Sequence, residues 1–186
     1  MTRSASAASI QPSAAAPERR IHLVQGECRV TDDASVILAT TLGSCVAACI
    51  RDPVARVGGM NHFLLPESAE GLVSLRYGAF AMELLINGLL SKGGRRERME
   101  AKLFGGGRLS GALADVGEKN AAFARDFLER EGIAFAGGSL GGSLARRIQF
   151  WPVSGRARQQ TLARADALLF QPKPRSGDGD GTVELF

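Results

Sequence analysis

The sequence predicts an α/β (α+β) layered sandwich in which a mixed β-sheet is covered by two main helices. Three observations carry this prediction. Short β-branched or alternating runs recur along the chain, two longer segments repeat apolar residues at helical spacing, and Gly or Pro marks most junctions between them. With 186 residues, 45% of them hydrophobic, and a net charge of only +4, the chain can bury a core and lacks the composition of a disordered protein.

The first 20 residues are rich in Ala and Ser and read as a disordered extension. Residues 171–186, opening QPKPRSGDGDG, read as a flexible tail, so the folded domain is expected over 21–170. Within it, 21–24 and 36–41 are short apolar strands. Residues 45–50 and 60–65 are two more, joined through Arg51-Asp52-Pro53 and Gly58-Gly59 and stopped by Pro66. Residues 77–91 form the first helix, because Ala81, Met82, Leu85, Ile86 and Leu89 share one face and Gly93-Gly94 ends it. Met99, Ala101 and Leu103 alternate with Glu100 and Lys102, the pattern of a half-buried strand.

Residues 117–131 form the second helix, with Val116, Phe123, Phe127 and Leu128 turned inward and Gly132 as its stop. Asn120 shares that inward face. A buried amide must be hydrogen-bonded, so Asn120 reads as a clamp on a neighbouring loop. Strands over 133–136 and 148–153 follow, the latter turning through Pro152-Val153-Ser154-Gly155 into 157–162.

Composition excludes several functions. Three cysteines are neither even in number nor dense enough for a disulfide scaffold, which points to free thiols in a reducing, cytoplasmic compartment. The densest cationic run, Lys92, Arg95, Arg96 and Arg98, has no interleaved aromatics, so it reads as a solvated helix end and no nucleic-acid partner is expected. The uncharged stretch 34–50 is too short and polar to span a bilayer, and no membrane insertion is expected. No metal or cofactor is expected either. Cys28, Cys45, Cys49 and His62 are zinc-ligand types but contain no Cys-x-x-Cys pair, and the glycine runs 105–107 and 137–142 lack phosphate-loop and dinucleotide signatures.

The segment Thr40-Thr41-Leu42-Gly43-Ser44-Cys45, followed by Gly58-Gly59-Met60-Asn61-His62, is the most informative. A nucleophilic cysteine needs a thiolate, which an imidazole can generate and hold as an ion pair. If 45–50 and 60–65 are neighbouring strands, Cys45 and His62 share one sheet face. Gly43 lets a substrate carbonyl approach the backbone, and amide groups around Cys45, Ser44 among them, can donate to an oxyanion. The plainer alternative is that Cys45 packs in the core and His62 is a hydrogen-bonded structural residue. Cys28 and Cys49 read as packing residues, and His22 as an exposed residue on an edge strand.

Residues 42–66, LGSCVAACIRDPVARVGGMNHFLLP, resemble the signature of the chemoreceptor glutamine deamidase (CheD) family. The likeness continues through Arg76-Tyr77-Gly78, EAKLFGGG at 100–107, Gly117 and Asn120, Leu140-Gly141-Gly142 and Arg146, and spans residues 22–162. The resemblance implies a sandwich similar to that of the deamidating bacterial toxins. It also implies hydrolysis of particular glutamine side chains on methyl-accepting chemotaxis receptors by a Cys–His–Thr constellation. Its cysteine maps onto Cys45 and its histidine onto His62. The family's threonine position holds Ala39, followed by Thr40 and Thr41, and strand parity with position 39 favours Thr41. The family's acidic residue before Leu-Gly-Gly is Ser139. A CheC-type phosphatase, whose helix can occupy the site, is a further partner the resemblance implies. The alternative within the same family is a weakly active binding module, for which Ala39 is the argument.

Overall fold

The computed structural model describes residues 17–65, 72–108 and 114–162. Their elements, in chain order, are strands β1 (Arg19–His22), β2 (Cys28–Thr31), β3 (Val36–Leu42), β4 (Val46–Asp52) and β5 (Val57–Asn61), and helix α1 (Leu72–Ser91). A 3-10 turn (Arg96–Arg98), β6 (Glu100–Gly105), α2 (Ala114–Arg130), β7 (Ala134–Leu140), β8 (Arg146–Trp151) and β9 (Arg156–Thr161) complete them. The expected extension lies outside the described residues up to position 16, but β1 already begins at Arg19. The expected tail, and Pro66, also lie outside them.

The strands form two sheets where one mixed sheet was expected. Four strands run in the order β1-β3-β8-β9 and five in the order β2-β5-β4-β6-β7. Strands β3 and β4 explain the layering. Both are almost wholly apolar and buried on both faces, as strands covered from two sides must be. Val46, Ala48 and Ile50 of β4 pack with Leu85 and Ile86 of α1 and Phe127 of α2. The alternate residues Ala47 and Cys49 pack against Leu38 of β3 and Ile148 and Phe150 of β8. The layers are therefore four-stranded sheet, five-stranded sheet, helices. Each fully buried Leu or Ile in these interfaces contributes about 1.5–3 kcal/mol.

Several elements differ from expectation. Strand β2 is new: only Val30 within it is strongly apolar, and it completes the five-stranded sheet by pairing antiparallel with β5. Helix α1 begins at Leu72, five residues before the apolar periodicity becomes regular. It is also long and apolar enough, by length and composition, to cross a membrane; here Met82, Leu85, Ile86 and Leu89 are buried in the helix–sheet core. Strand β7 runs past its expected end at 136, through Gly137 and Gly138, where its register against β6 shifts. A side chain at Gly138, at φ 135°, would collide with the Leu103 backbone. Three of the four cations in the basic run face carboxylates: Lys92 on Asp32, Arg96 on Glu131, and Arg98 on Asp52.

Candidate active site

Strands β4 and β5 form a hairpin whose pairing places the two central residues. Past the end of β5, Val46 and Phe63 exchange backbone hydrogen bonds of 3.0 and 2.9 Å. Opposed residues of an antiparallel pair point the same way and alternate along each strand. His62, opposite Ala47, and Cys45, two residues before Ala47, therefore share the face turned towards the four-stranded sheet, as diagonal neighbours. Cys45 itself does not open the strand as expected: β4 begins at Val46, and residues 43–45 form a bend.

The third residue comes from β3. Its even-numbered members Val36, Leu38 and Leu42 belong to the inter-sheet core, and Thr40 shares their face. Thr40 is buried, and its Oγ1 donates to the Leu23 carbonyl at 2.8 Å while lying 2.8 Å from His62 Nδ1. Parity with position 39 had favoured Thr41. That position lies on the opposite face of β3, and its side chain lines the cleft instead. The physical reason is that the inter-sheet face, rather than the position of Ala39, decides which hydroxyl reaches the imidazole.

This pair of contacts fixes the tautomer. The Thr40 hydroxyl proton is given to Leu23, so Oγ1 accepts from His62, and Nδ1 must carry the hydrogen. His62 Nε2 is then the lone-pair nitrogen, and it is buried without a hydrogen-bond partner among the described residues. Burial pushes the imidazole down to about 4, against the pull of the Leu23 carbonyl and Glu27. Burial likewise pushes the Cys45 thiol up to about 11, with a backbone hydrogen bond at Cys45 acting the other way. The resting pair is therefore neutral thiol and neutral imidazole, not the ion pair expected from residue types. The thiol donates to Gln25 Oε1 at 3.6 Å.

The loop carrying Cys45 is held from beneath. Gly106 N–H donates to the Cys45 carbonyl and Gly107 N–H to the Gly43 carbonyl, each at 2.8 Å. Gly105, at φ 108°, has no room for a side chain, which would collide with the Cys45 carbonyl oxygen. Asn120 is wholly buried on α2; its Nδ2 donates to the Ser44 carbonyl at 3.0 Å and its Oδ1 accepts from Leu65 N–H at 2.8 Å. The expected clamp thus grips the Cys45 loop and the segment after His62 together. Neither the Ser44 nor the Cys45 amide donates to a backbone carbonyl among the described residues; the Cys45 amide is turned towards its own thiol, and the Ser44 amide is open to an oxyanion.

Cys45, His62, Thr40 and Thr41 all open on one cleft of about 1050 Å³. Gly43 and Ser44 lie in the bend beside it. Cys49 is buried in the inter-sheet core, Cys28 is half-buried in β2, and His22 is exposed on the edge strand β1. Two residues escaped the sequence reading. Gln25 sits in a surface turn and carries no signal. Asn61, a buried polar residue at the end of β5, accepts from Ala48 N–H and donates to the Ala81 carbonyl, tying β4 and α1 to the residue before His62. Arg146 is turned inward and bonds Ser139 through both its carbonyl and its hydroxyl, and the Gly141 carbonyl as well.

A family model described as CheD chemotactic sensory transduction matches residues 64–161. A relative from Caulobacter sp. (strain K31), named "Probable chemoreceptor glutamine deamidase CheD", is 53% identical over 91% of this chain and 94% of its own. Relatives of the same name from Acidiphilium cryptum (strain JF-5) and Rhizobium leguminosarum bv. trifolii (strain WSM2304) are 55% and 57% identical. They cover 94% and 90% of this chain, and 98% and 96% of theirs. Among solved structures, a DUF152-family protein from Neisseria meningitidis aligns with a TM-score of 0.42 at 15% identity, covering 63% of this chain and 54% of its own.

Proposed function

The chain belongs to the CheD family, and from that membership we propose that it deamidates glutamine side chains of methyl-accepting chemotaxis receptors, with Cys45 as nucleophile, His62 as general base and acid, and Thr40 as the hydroxyl that fixes the imidazole. The observation that carries this reading is the Thr40–His62 bond, which leaves Nε2 as the unpaired nitrogen of a histidine that lines the same cleft as Cys45.

The chemistry follows from that arrangement. His62 Nε2 takes the Cys45 proton as Sγ attacks the glutamine Cδ, and the amide oxygen becomes an oxyanion facing the Ser44 amide. As the tetrahedral species collapses, the C–N bond breaks and His62 returns the proton to the departing ammonia. His62 then deprotonates water, which adds to the thioester. The S–C bond breaks, and glutamate and free thiol remain. Deprotonation within the complex suits a resting pair that is neutral, because no buried ion pair has to be maintained between turnovers.

The activity belongs to the domain over 21–170, between an N-terminal extension and a C-terminal tail, in the cytoplasm where the three thiols stay reduced. A CheC-type phosphatase helix is a second occupant of the same cleft. The weakly active reading rested on Ala39; with the Thr40 hydroxyl 2.8 Å from Nδ1, that position no longer argues for it. The test is mass spectrometry of receptor cytoplasmic domains after incubation. Wild-type protein converts specific Gln to Glu, and Cys45→Ala and His62→Ala do not while keeping the native circular-dichroism spectrum. Undiminished conversion by Cys45→Ala would sink the assignment.

A further inference from the structure

We propose that the outer face of the four-stranded sheet is the docking surface that delivers the target glutamine, and that it is built for a protein segment carrying acidic side chains beside that glutamine. The inference rests on the deamidase reading above. It starts from composition. The four strands read RRIH, VILATTL, RRIQFW and RARQQT, with six arginines and no Asp or Glu among them.

Register decides where those cations point. Leu38, Leu42, Ile148 and Phe150 take the inter-sheet side, so their odd-numbered neighbours on β3 and β8 face away from the second sheet. Pairing then sets His22, Ala39, Gln149 and Arg158 in one row, and Thr41, Arg147 and Gln160 in the next. Arg20 lies beyond, beside Ile37. Among the described residues the helices pack on the other sheet, and on this face the apolar side chains of Ile37 and Ala39 are buried.

Not every arginine is available to a partner. Arg146 is turned inward, Arg19 faces Asp33, and Arg156 lies over the Trp151 ring within reach of Glu18. Arg20 and Arg158 are exposed and line the same cleft as Cys45 and His62. A molecule that presents a carboxamide to the thiol therefore lies across these two guanidinium groups and the carboxamides of Gln149 and Gln160. Guanidinium groups recognise carboxylates through paired, charge-assisted hydrogen bonds and draw acidic partners in from a distance.

Other anionic partners fit less well. The one indole on this face is covered by Arg156 at 3.8 Å, and its N–H is bonded to Glu18, which leaves the His22 imidazole as the ring on which a base could stack, too little for a stacking platform. Val24 is the exposed large apolar side chain at this cleft among the described residues, and a single such side chain does not anchor a protein in a bilayer.

The test uses two helical peptides of one scaffold with a central Gln, flanked one turn away on each side by Glu in the first and by Lys in the second. Turnover of both is measured for the wild type, for the Arg20→Glu/Arg158→Glu double variant, for each of its single variants, and for Arg130→Glu on α2 as a control matched in charge to the single variants. Affinity of the inactive Cys45→Ser protein for the same peptides is measured at low and high salt. The wild type should favour the Glu-flanked peptide. The double variant should lose about tenfold or more in kcat/KM on it, mainly through KM, and gain on the Lys-flanked one, while the control behaves as wild type. Arg158→Gln should fall between, which covers the case of a double variant that does not fold.

Equal turnover of both peptides by the wild type would overturn the docking surface and leave the deamidase reading standing. Salt-sensitive preference of Cys45→Ser for the Glu-flanked peptide, with no turnover of either by the wild type, would do the reverse. Tighter binding of single-stranded DNA or of phosphatidylserine vesicles than of the Glu-flanked peptide would also overturn it.

Discussion

The Thr40 hydroxyl stands 2.8 Å from His62 Nδ1 and gives its own proton to the Leu23 carbonyl, so a residue on one sheet sets the tautomer of a histidine carried by the other. The imidazole is a useful base only while Nε2 is unprotonated and aimed into the cleft. Thr40→Ala should therefore lower kcat by roughly two orders of magnitude, the usual scale of a mispositioned acid–base group, with little change in KM. Thr40→Ser keeps the hydroxyl and should recover most of that loss, and Thr41→Ala should cost less than Thr40→Ala. Steady-state kinetics on a receptor domain, with the three variants compared, checks this. A Thr40→Ala enzyme no slower than wild type would remove Thr40 from the site.

Burial of His62 has a consequence for stability as well as catalysis. The folded chain holds the imidazole at about 4 against an ordinary 6.5, so between those values the unfolded chain binds a proton that the folded chain refuses. The stabilisation is fully present above pH 6.5 and declines as pH falls towards 4, by on the order of 3 kcal/mol. Asp52 acts in a lower window. Burial opposes its ionisation, but the amides of Ala55, Arg95 and Val54 and the Arg98 guanidinium hold the carboxyl down at about 2, so its contribution is lost only as pH falls from 3.8 towards that value. Urea titrations from pH 4 to 7.5 should show a slope for the wild type that is nearly absent in His62→Gln.

The Cys45 thiol is pushed up to about 11 and donates to Gln25 Oε1, so alkylation at neutral pH should be slow. Gln25 places a carboxamide oxygen against the Cys45 thiol, which on the proposed mechanism a substrate carboxamide would displace. Gln25→Ala should raise the iodoacetamide labelling rate at Cys45 several-fold at pH 7.5, followed by peptide mapping that separates Cys45 from Cys28. An unchanged rate would mean that the Gln25 contact does not shield the thiol.

Cys45 and His62 were legible because each lies in a local string and a single hairpin joins them, so pairing and parity alone bring them together. The choice of Thr40 over Thr41 was not. Strand β3 is buried on both faces, and its sequence, VILATTL, does not say which face meets the second sheet. The division into two sheets was hidden for a related reason. Strand β3 pairs in parallel with β1 and antiparallel with the distant β8, and hydrophobic patterning records neither partner. Strand β2 is short and mostly polar, and its apolar content falls below what patterning detects. Asn61 did leave a signal, since an amide inside an otherwise apolar strand has to be satisfied somewhere.

Asn120 is the residue whose loss should separate fold from chemistry most clearly. Its two hydrogen bonds satisfy a buried carbonyl at Ser44 and a buried amide at Leu65, and among the described residues no other side chain of α2 bonds either group. Asn120→Ala leaves those groups unpaired, at about 1–3 kcal/mol each, so the melting temperature should fall markedly. Asn120→Asp still accepts from Leu65 N–H but sets a carboxylate against the Ser44 carbonyl. It should release the nucleophile loop while the segment after His62 stays anchored. A purely structural Asn120 would lower kcat in both variants only as far as the folded fraction falls. A positioning Asn120 should lower kcat per folded molecule in Asn120→Asp at temperatures well below its melting point, with peptide KM little changed. Thermal melts and kinetics on the same preparations distinguish the two.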